Sequence, residues 1–267
     1  MERLIQNFLR DASFESNIIS IVKDCFEFVR KDNKQLLEKK TDGSPLCKAD
    51  IGLDNIITKG LERLNSKIPL ISEEKLVSVR NYLDDYYWLI DPIDGTKSYL
   101  SGGKEYSINI ALIVKGEPLF GLIAHPPTEN IWYSKDEKLI VQNKDHKRIL
   151  EYKPKKFPKY PSIITSKEFN QDLEKFVNAF QKNERIKLSS SLKFCELAEK
   201  RFDIYPRFSS ISKWDIAAGH AILRAAGGDL VKIDGKHFRY NTITKKTGSF
   251  IAYSDKSWRS KLVLNFQ

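Results

Sequence analysis

Trp88-Leu89-Ile90-Asp91-Pro92-Ile93-Asp94-Gly95-Thr96 is the stretch that decides how this chain reads. A short apolar run of strand character ends in two carboxylates, and the residues that follow have turn chemistry. Pro92 fixes one backbone angle and supplies no N–H, which helps fix the turn between the carboxylates. Gly95 permits a tight bend or the close approach of a ligand. Thr96 is placed to cap a following helix, whose first N–H groups form an anion site. The carboxylates suit hard cations and the amides suit a phosphate. Asp-Pro and Asp-Gly are also common turn dipeptides, so the rest of the chain has to supply the meaning.

Working outward, Ile18, Ile19, Ile21, Val22, Cys25, Phe26 and Val29 recur with a helical period over 17–30. A second helix is predicted over 49–64, with Asp50 in its first turn, where a carboxylate favours the helix dipole. Strands are predicted over 69–72, leading into Glu73-Glu74, and over 86–90, leading into the opening motif. The nearly continuous apolar run 108–114 reads as a strand buried on both faces, turned by Lys115-Gly116-Glu117 into 119–124. Trp132-Tyr133 and 139–141 extend the sheet. From about 143 to 161 the chain is polar, basic and proline-containing, which predicts a junction between a domain of residues 1–150 and one of 151–267. Strands over 162–165, 229–233 and 250–253 then alternate with helices over 168–180, 192–198 and 214–226. The chain is thus α/β overall, α+β in its first half and α/β in its second.

The length of 267 residues and the 41% apolar content support a real core and exclude disorder. No apolar run is long enough to span a membrane, and the first residues lack a signal peptide's apolar core. Cys25, Cys47 and Cys195 are odd in number and without CxxC spacing, so they read as reduced thiols of a cytoplasmic protein. Association with the inner face of a membrane stays open, as does a homodimer. The net charge of +10 fits an acidic partner, a phosphorylated small molecule or a nucleic acid, or simply a solvated surface. Basic runs such as Lys153-Pro154-Lys155-Lys156 lack interleaved aromatics, so nucleic acid is not the expected main partner.

Asp50, Glu73-Glu74, Asp91 with Asp94, and Asp215 all adjoin apolar sequence. Carboxylates converging in a cleft repel one another unless cations sit between them. All-oxygen ligation suits Mg²⁺, which shares its coordination with substrate phosphates. The histidines show no paired spacing, and there is no Gly-x-Ser-x-Gly.

Asp91-Pro92-Ile93-Asp94-Gly95-Thr96 with Trp214-Asp215-Ile216-Ala217-Ala218-Gly219 resembles the inositol monophosphatase superfamily of Mg²⁺-dependent, lithium-sensitive phosphatases, and Ser72-Glu73-Glu74 resembles its third motif. The resemblance implies a layered αβαβα sandwich of the inositol monophosphatase and fructose bisphosphatase type. It implies one Mg²⁺ on Glu73, Asp91 and the Ile93 carbonyl, and a second on Asp91, Asp94 and Asp215. Asp50 and Thr96 would orient and deprotonate the attacking water, with Glu74 assisting through water or a third, weaker ion. The amides around Gly95-Thr96 would hold phosphoryl oxygens, alongside Glu73, Ile93, Asp94 and Asp215.

Ser189-Ser190-Ser191-Leu192-Lys193-Phe194-Cys195 and Tyr205-Pro206-Arg207-Phe208 resemble the 3'(2'),5'-bisphosphate nucleotidase branch, the CysQ type, which acts in sulfur-nucleotide turnover. Where the inositol monophosphatase branch typically has a glutamate for sugar hydroxyls, this chain has Arg207, a donor suited to a second phosphate. Ser191 and Lys193 join it as expected substrate groups. The implied reaction converts adenosine 3',5'-bisphosphate to AMP and phosphate. Alternatives are an inositol or sugar monophosphatase, and, in another class, a noncatalytic basic protein binding nucleotides or RNA. The chain departs from the branch at Cys47-Lys48, commonly Thr-Ala, and at Lys200, usually glycine.

Overall fold

The computed structural model describes residues 2–41, 43–75, 85–153, 158–168, 170–180, 183–240 and 246–263, so Pro154, Lys155 and Lys156 of the basic run lie outside the described residues. An outer layer holds α1 (Glu2–Arg10), α2 (Ala12–Lys31) and α3 (Lys48–Leu64), with a ribbon of β1 (Leu36–Lys39) and β2 (Pro45–Cys47) between the last two. These helices pack on a seven-stranded sheet formed, in spatial order, by β3 (Leu70–Ser72), β4 (Tyr86–Asp94), β5 (Ser107–Val114), β6 (Glu117–His125), β7 (Asn130–Lys135), β8 (Lys138–Gln142) and β9 (Lys147–Leu150). The β3–β4 pair is parallel and the other pairs are antiparallel. The short helix α4 (Thr96–Leu100) leaves the end of β4.

The second half adds β10 (Ser162–Thr165), α5 (Gln171–Asn178), β11 (Glu184–Lys187), α6 (Leu192–Ala198), β12 (Ile204–Arg207), α7 (Trp214–Ala225), β13 (Asp229–Lys232), β14 (Phe250–Tyr253) and α8 (Trp258–Val263). Its sheet has the order β11-β10-β12-β14-β13. Helices α6 and α7 lie between the two sheets, and α5 and α8 cover the far face of the second, which makes an αβαβα stack.

Three buried clusters hold the layers together, and strand alternation assigns each residue to one of them. Along β4, Trp88 and Ile90 face α2 and α3, whereas Tyr87 and Leu89 face α6 and α7. On the first side Phe14 meets Phe120 edge-on at 5.2 Å and stacks with Trp88 at 6.5 Å. Each such fully buried aromatic contributes about 1.5–3 kcal/mol. On the second side α7 lies so close to β6 that a Cβ on Gly121 would stand 2.4 Å from the Ala218 carbonyl. Only glycine allows that approach.

The main predicted elements are present. The helix expected over 168–180 is shorter because the Asn170 side chain caps its start, accepting the Leu173 N–H at 3.0 Å. The polar segment after residue 143 contains β9, a strand whose exposed side chains hide it from a hydrophobic pattern. Gly95, not Thr96, is the N-cap of α4, with φ of 97°, and Thr96 is the first helical residue.

Candidate active site

Asp91 and Asp94 are three residues apart in one strand, so simple alternation would send them to opposite faces. A bulge prevents this, since Asp91 pairs with Asn109 and Asp94 pairs with Ser107, three residues on β4 against two on β5. Both carboxylates therefore share the face that meets α6 and α7. The Ser107 hydroxyl confirms the common face by reaching Asn109 Oδ1 at 3.4 Å.

Parallel pairing of Ser72 with Ile90 sets Glu73 beside Asp91, and the Glu73 N–H donates to the Ile90 carbonyl at 3.1 Å. Asp215 comes from the first turn of α7, where its Oδ2 accepts the Ser212 N–H at 3.2 Å. One oxygen from each of Glu73, Asp91 and Asp215 lies within 4.8 Å of the others. Burial first, and then repulsion between neighbours, pushes all three carboxyls above the ordinary range, with Lys40 opposing the rise at Glu73. Asp91 Oδ1 is buried without a hydrogen-bond partner among the described residues. An orphan oxygen at the centre of mutually repelling carboxylates is the donor set a hard cation requires, so these residues fit a metal site.

The other expected residues take different places. Asp50 is buried at the third position of α3, its Oδ2 accepting the Cys47 N–H at 2.7 Å. Cys47 stands as N-cap, and its thiol completes the capping box. Burial dominates in raising the Asp50 carboxyl above its ordinary value. The Thr96 hydroxyl lies 3.4 Å from Asp50 Oδ1 and 3.1 Å from the Ile93 carbonyl. Gly95 closes the bend, and a Cβ there would meet the Glu105 carbonyl at 2.6 Å.

Ser191 is buried beneath the cluster, with its Oγ 2.7 Å from both Asp94 Oδ2 and the Asp215 carbonyl. It accepts from Asn109 Nδ2 at 2.8 Å. Its hydrogen bonds thus go to the carboxylate region. Lys193 is likewise buried; its Nζ donates to the carbonyls of Leu188 and Ser190 and lies 5.2 Å from the Tyr205 ring centre. Burial lowers its pKa to about 8. Arg207, at the end of β12, has a side chain only 12% exposed, and among the described residues its ion pair, to the exposed Glu168, is long at 3.9 Å. Its Nε donates to the Ser209 carbonyl at 3.3 Å, and its charge acts on Lys193 and Tyr205.

Lys40 was not expected from the sequence. It comes from the β1–β2 ribbon, and its Nζ reaches Glu73 Oε1 at 2.8 Å and Glu74 Oε1 at 2.6 Å. Glu74 is nearly buried, and burial raises its carboxyl to about 7 against the opposing effect of Lys40. Asn109 was also missed, although its place in a strand otherwise wholly apolar after Ser107 was the available signal. Lys200 takes a left-handed φ of 60°, the geometry for which glycine is usual, and α6 still ends in its 3.0 Å bond from Glu199 N–H to the Cys195 carbonyl.

The sequence pattern of the inositol monophosphatase family matches residues 6–264. The chain belongs to the inositol monophosphatase family. Membership makes it a phosphatase, of a family whose enzymes depend on metal. It is 36% identical over 213 residues to the 3'(2'),5'-bisphosphate nucleotidase CysQ of Buchnera aphidicola, covering 76% of each chain. It is 34% identical over 204 residues to the CysQ of Salmonella typhimurium, covering 76% of this chain and 82% of the relative. Among solved structures, CysQ from Bacteroides thetaiotaomicron matches with a TM-score of 0.75 at 25% identity, over 90% of this chain and 97% of that one. The extragenic suppressor protein suhB from Bartonella henselae, at 20% identity and a TM-score of 0.76 over 96% and 99% of the chains, shares the fold. Among the described residues, no helix is long and apolar enough to cross a membrane.

Proposed function

We propose that this phosphatase is a 3'(2'),5'-bisphosphate nucleotidase, converting adenosine 3',5'-bisphosphate to AMP and phosphate with Mg²⁺ as its ion. The observation that carries the substrate assignment is Arg207, a largely buried guanidinium on β12 whose ion pair among the described residues is a long one to the exposed Glu168. A guanidinium donates and never accepts, so it favours a second phosphate over sugar hydroxyls. The names of the CysQ relatives support the same substrate class.

Glu73, Asp91, Asp94, Asp215 and the Ile93 carbonyl would hold two Mg²⁺ ions, which supply Lewis-acid polarisation of the phosphate and lower the pKa of water. Asp50 takes the proton of the attacking water, and Thr96, 3.4 Å away, orients that water toward phosphorus. Burial makes Asp50 a stronger base than an exposed aspartate. The water oxygen bonds to phosphorus as the bond to the sugar oxygen breaks, and a proton from solvent goes to the departing sugar oxygen to give the free hydroxyl of AMP. The amides at Gly95 and Thr96 receive phosphoryl oxygens. Ser191 keeps Asp94 in its rotamer. Residues 1–150 and 151–267 act as two domains in this reading, supported by the change of sheet between Leu150 and Ser162.

The test is phosphate release from a panel of substrates with Mg²⁺. Adenosine 3',5'-bisphosphate is expected to have a kcat/KM at least about tenfold above inositol 1-phosphate, the value of one interaction of ~1.4 kcal/mol. Equal or reversed preference overturns the substrate and leaves the reaction class. Asp94→Asn, folded but inactive on every substrate, separates catalysis from simple nucleotide binding.

A further inference from the structure

Asp54 lies one helical turn beyond Asp50 on α3, so the two carboxylates share a face of the helix. It is almost completely buried, and Lys75 Nζ reaches its Oδ2 at 2.8 Å. The same ammonium donates to Asn55 Oδ1 at 3.0 Å and to Thr58 Oγ1 at 3.2 Å. Three acceptors on α3 therefore gather one lysine that is itself half exposed. Asp54 Oδ1 has no hydrogen-bond partner among the described residues. Burying a carboxylate with an unsatisfied oxygen is costly, and an isolated pair of this kind is a poor stability device. Its position gives it another use.

Lys75 directly follows Glu73 and Glu74. Lys40 holds that acidic pair from the ribbon side, and the Ile90 carbonyl holds the Glu73 N–H. Among the described residues, Lys75 ties the same turn to α3, the helix that carries Asp50. We propose that Asp54 and Lys75 are positioning residues that set the Glu73–Glu74 turn against α3, and so fix the distance from Glu73 to Asp91 and Asp215 on which divalent-ion affinity depends. This inference rests on the reading of those carboxylates as an ion site.

Mg²⁺ binding to the ion-free full chain, measured by titration calorimetry, tests it beside turnover. Asp54→Asn and Lys75→Met are each expected to weaken Mg²⁺ binding about tenfold, the lower end of the effect of outer partners on a metal site. The double variant is expected to match the weaker single variant, because both remove one contact. Turnover at saturating Mg²⁺ is expected to return toward the wild-type value, with KM for the nucleotide unchanged. Lys75 is half exposed, so Lys75→Met keeps the test open if the Asp54 variant fails to fold. Wild-type affinity in Lys75→Met overturns the proposal, as does a loss of kcat that saturating Mg²⁺ does not restore. Wild-type protein that binds no divalent ion overturns the underlying ion-site reading instead.

Discussion

In the proposed reading, the choice of substrate rests largely on one side chain, Arg207. Its guanidinium is largely buried at the end of β12, where it hydrogen-bonds the Tyr205 side chain and its charge acts on Lys193. Arg207→Glu replaces five donors by acceptors and places a like charge near any second phosphate. It is expected to lower kcat/KM for adenosine 3',5'-bisphosphate by about a hundredfold, near the upper range of a charged hydrogen bond. Activity on inositol 1-phosphate is expected to be retained; an equal fall on both substrates would assign Arg207 to folding. The carboxylates Asp50, Glu73, Asp91, Asp94 and Asp215 were legible in the sequence because each sits where an apolar element begins or ends. Lys40 was not legible. It lies 33 residues from Glu73 in sequence, and lysines in basic chains are usually solvated.

At the scale of elements, the bulge between Asp91 and Asp94 places both carboxylates on one face. Pro92 and Gly95 in the sequence signalled a turn; the pairing with β5 reveals that the motif is still strand. Glu15, in the first turn of α2, shows a second way elements are fixed. Its carboxylate accepts hydrogen bonds from Tyr133 and Lys135 on β7 and from Lys147 on β9, the Lys135 bond being 2.5 Å. Burial alone would raise its pKa, but those three donors outweigh burial and lower it to about 2 from 4.5. A folded pKa below the unfolded value adds stability that is fully present above the unfolded value and is lost as pH falls through the folded one. Denaturant midpoints measured from pH 5 to pH 2 are expected to fall more steeply for wild type than for Glu15→Gln. Parallel curves would refute the role of this network. β9, which supplies Lys147, was hidden in the sequence because its side chains are exposed and polar.

Across the whole molecule, the site is a seam between layers. Asp50 comes from the outer helices, Asp91 and Asp94 from the first sheet, and Asp215 from the helices between the sheets. Ions bound among these carboxylates would tie the layers together and relieve their repulsion. Thermal unfolding is expected to shift upward with Mg²⁺, by about 2.7 kcal/mol in stability at a hundred times its Kd. The shift is expected to reverse on chelation and to vanish in Asp91→Asn; a Tm insensitive to Mg²⁺ in wild type contradicts the ion-site reading. The αβαβα order was implied by the family resemblance and is borne out by the stack and its structural relatives. By itself the sequence determined the chemistry of the opening motif, because Asp, Pro and Gly carry their acid, turn and backbone constraints locally. Only the tertiary structure decided that Ser191 supports Asp94 across 97 residues, that Lys40 pairs with both Glu73 and Glu74, and that Lys75 meets Asp54. Those contacts depend on sheet register and layer packing, which no local spacing encodes.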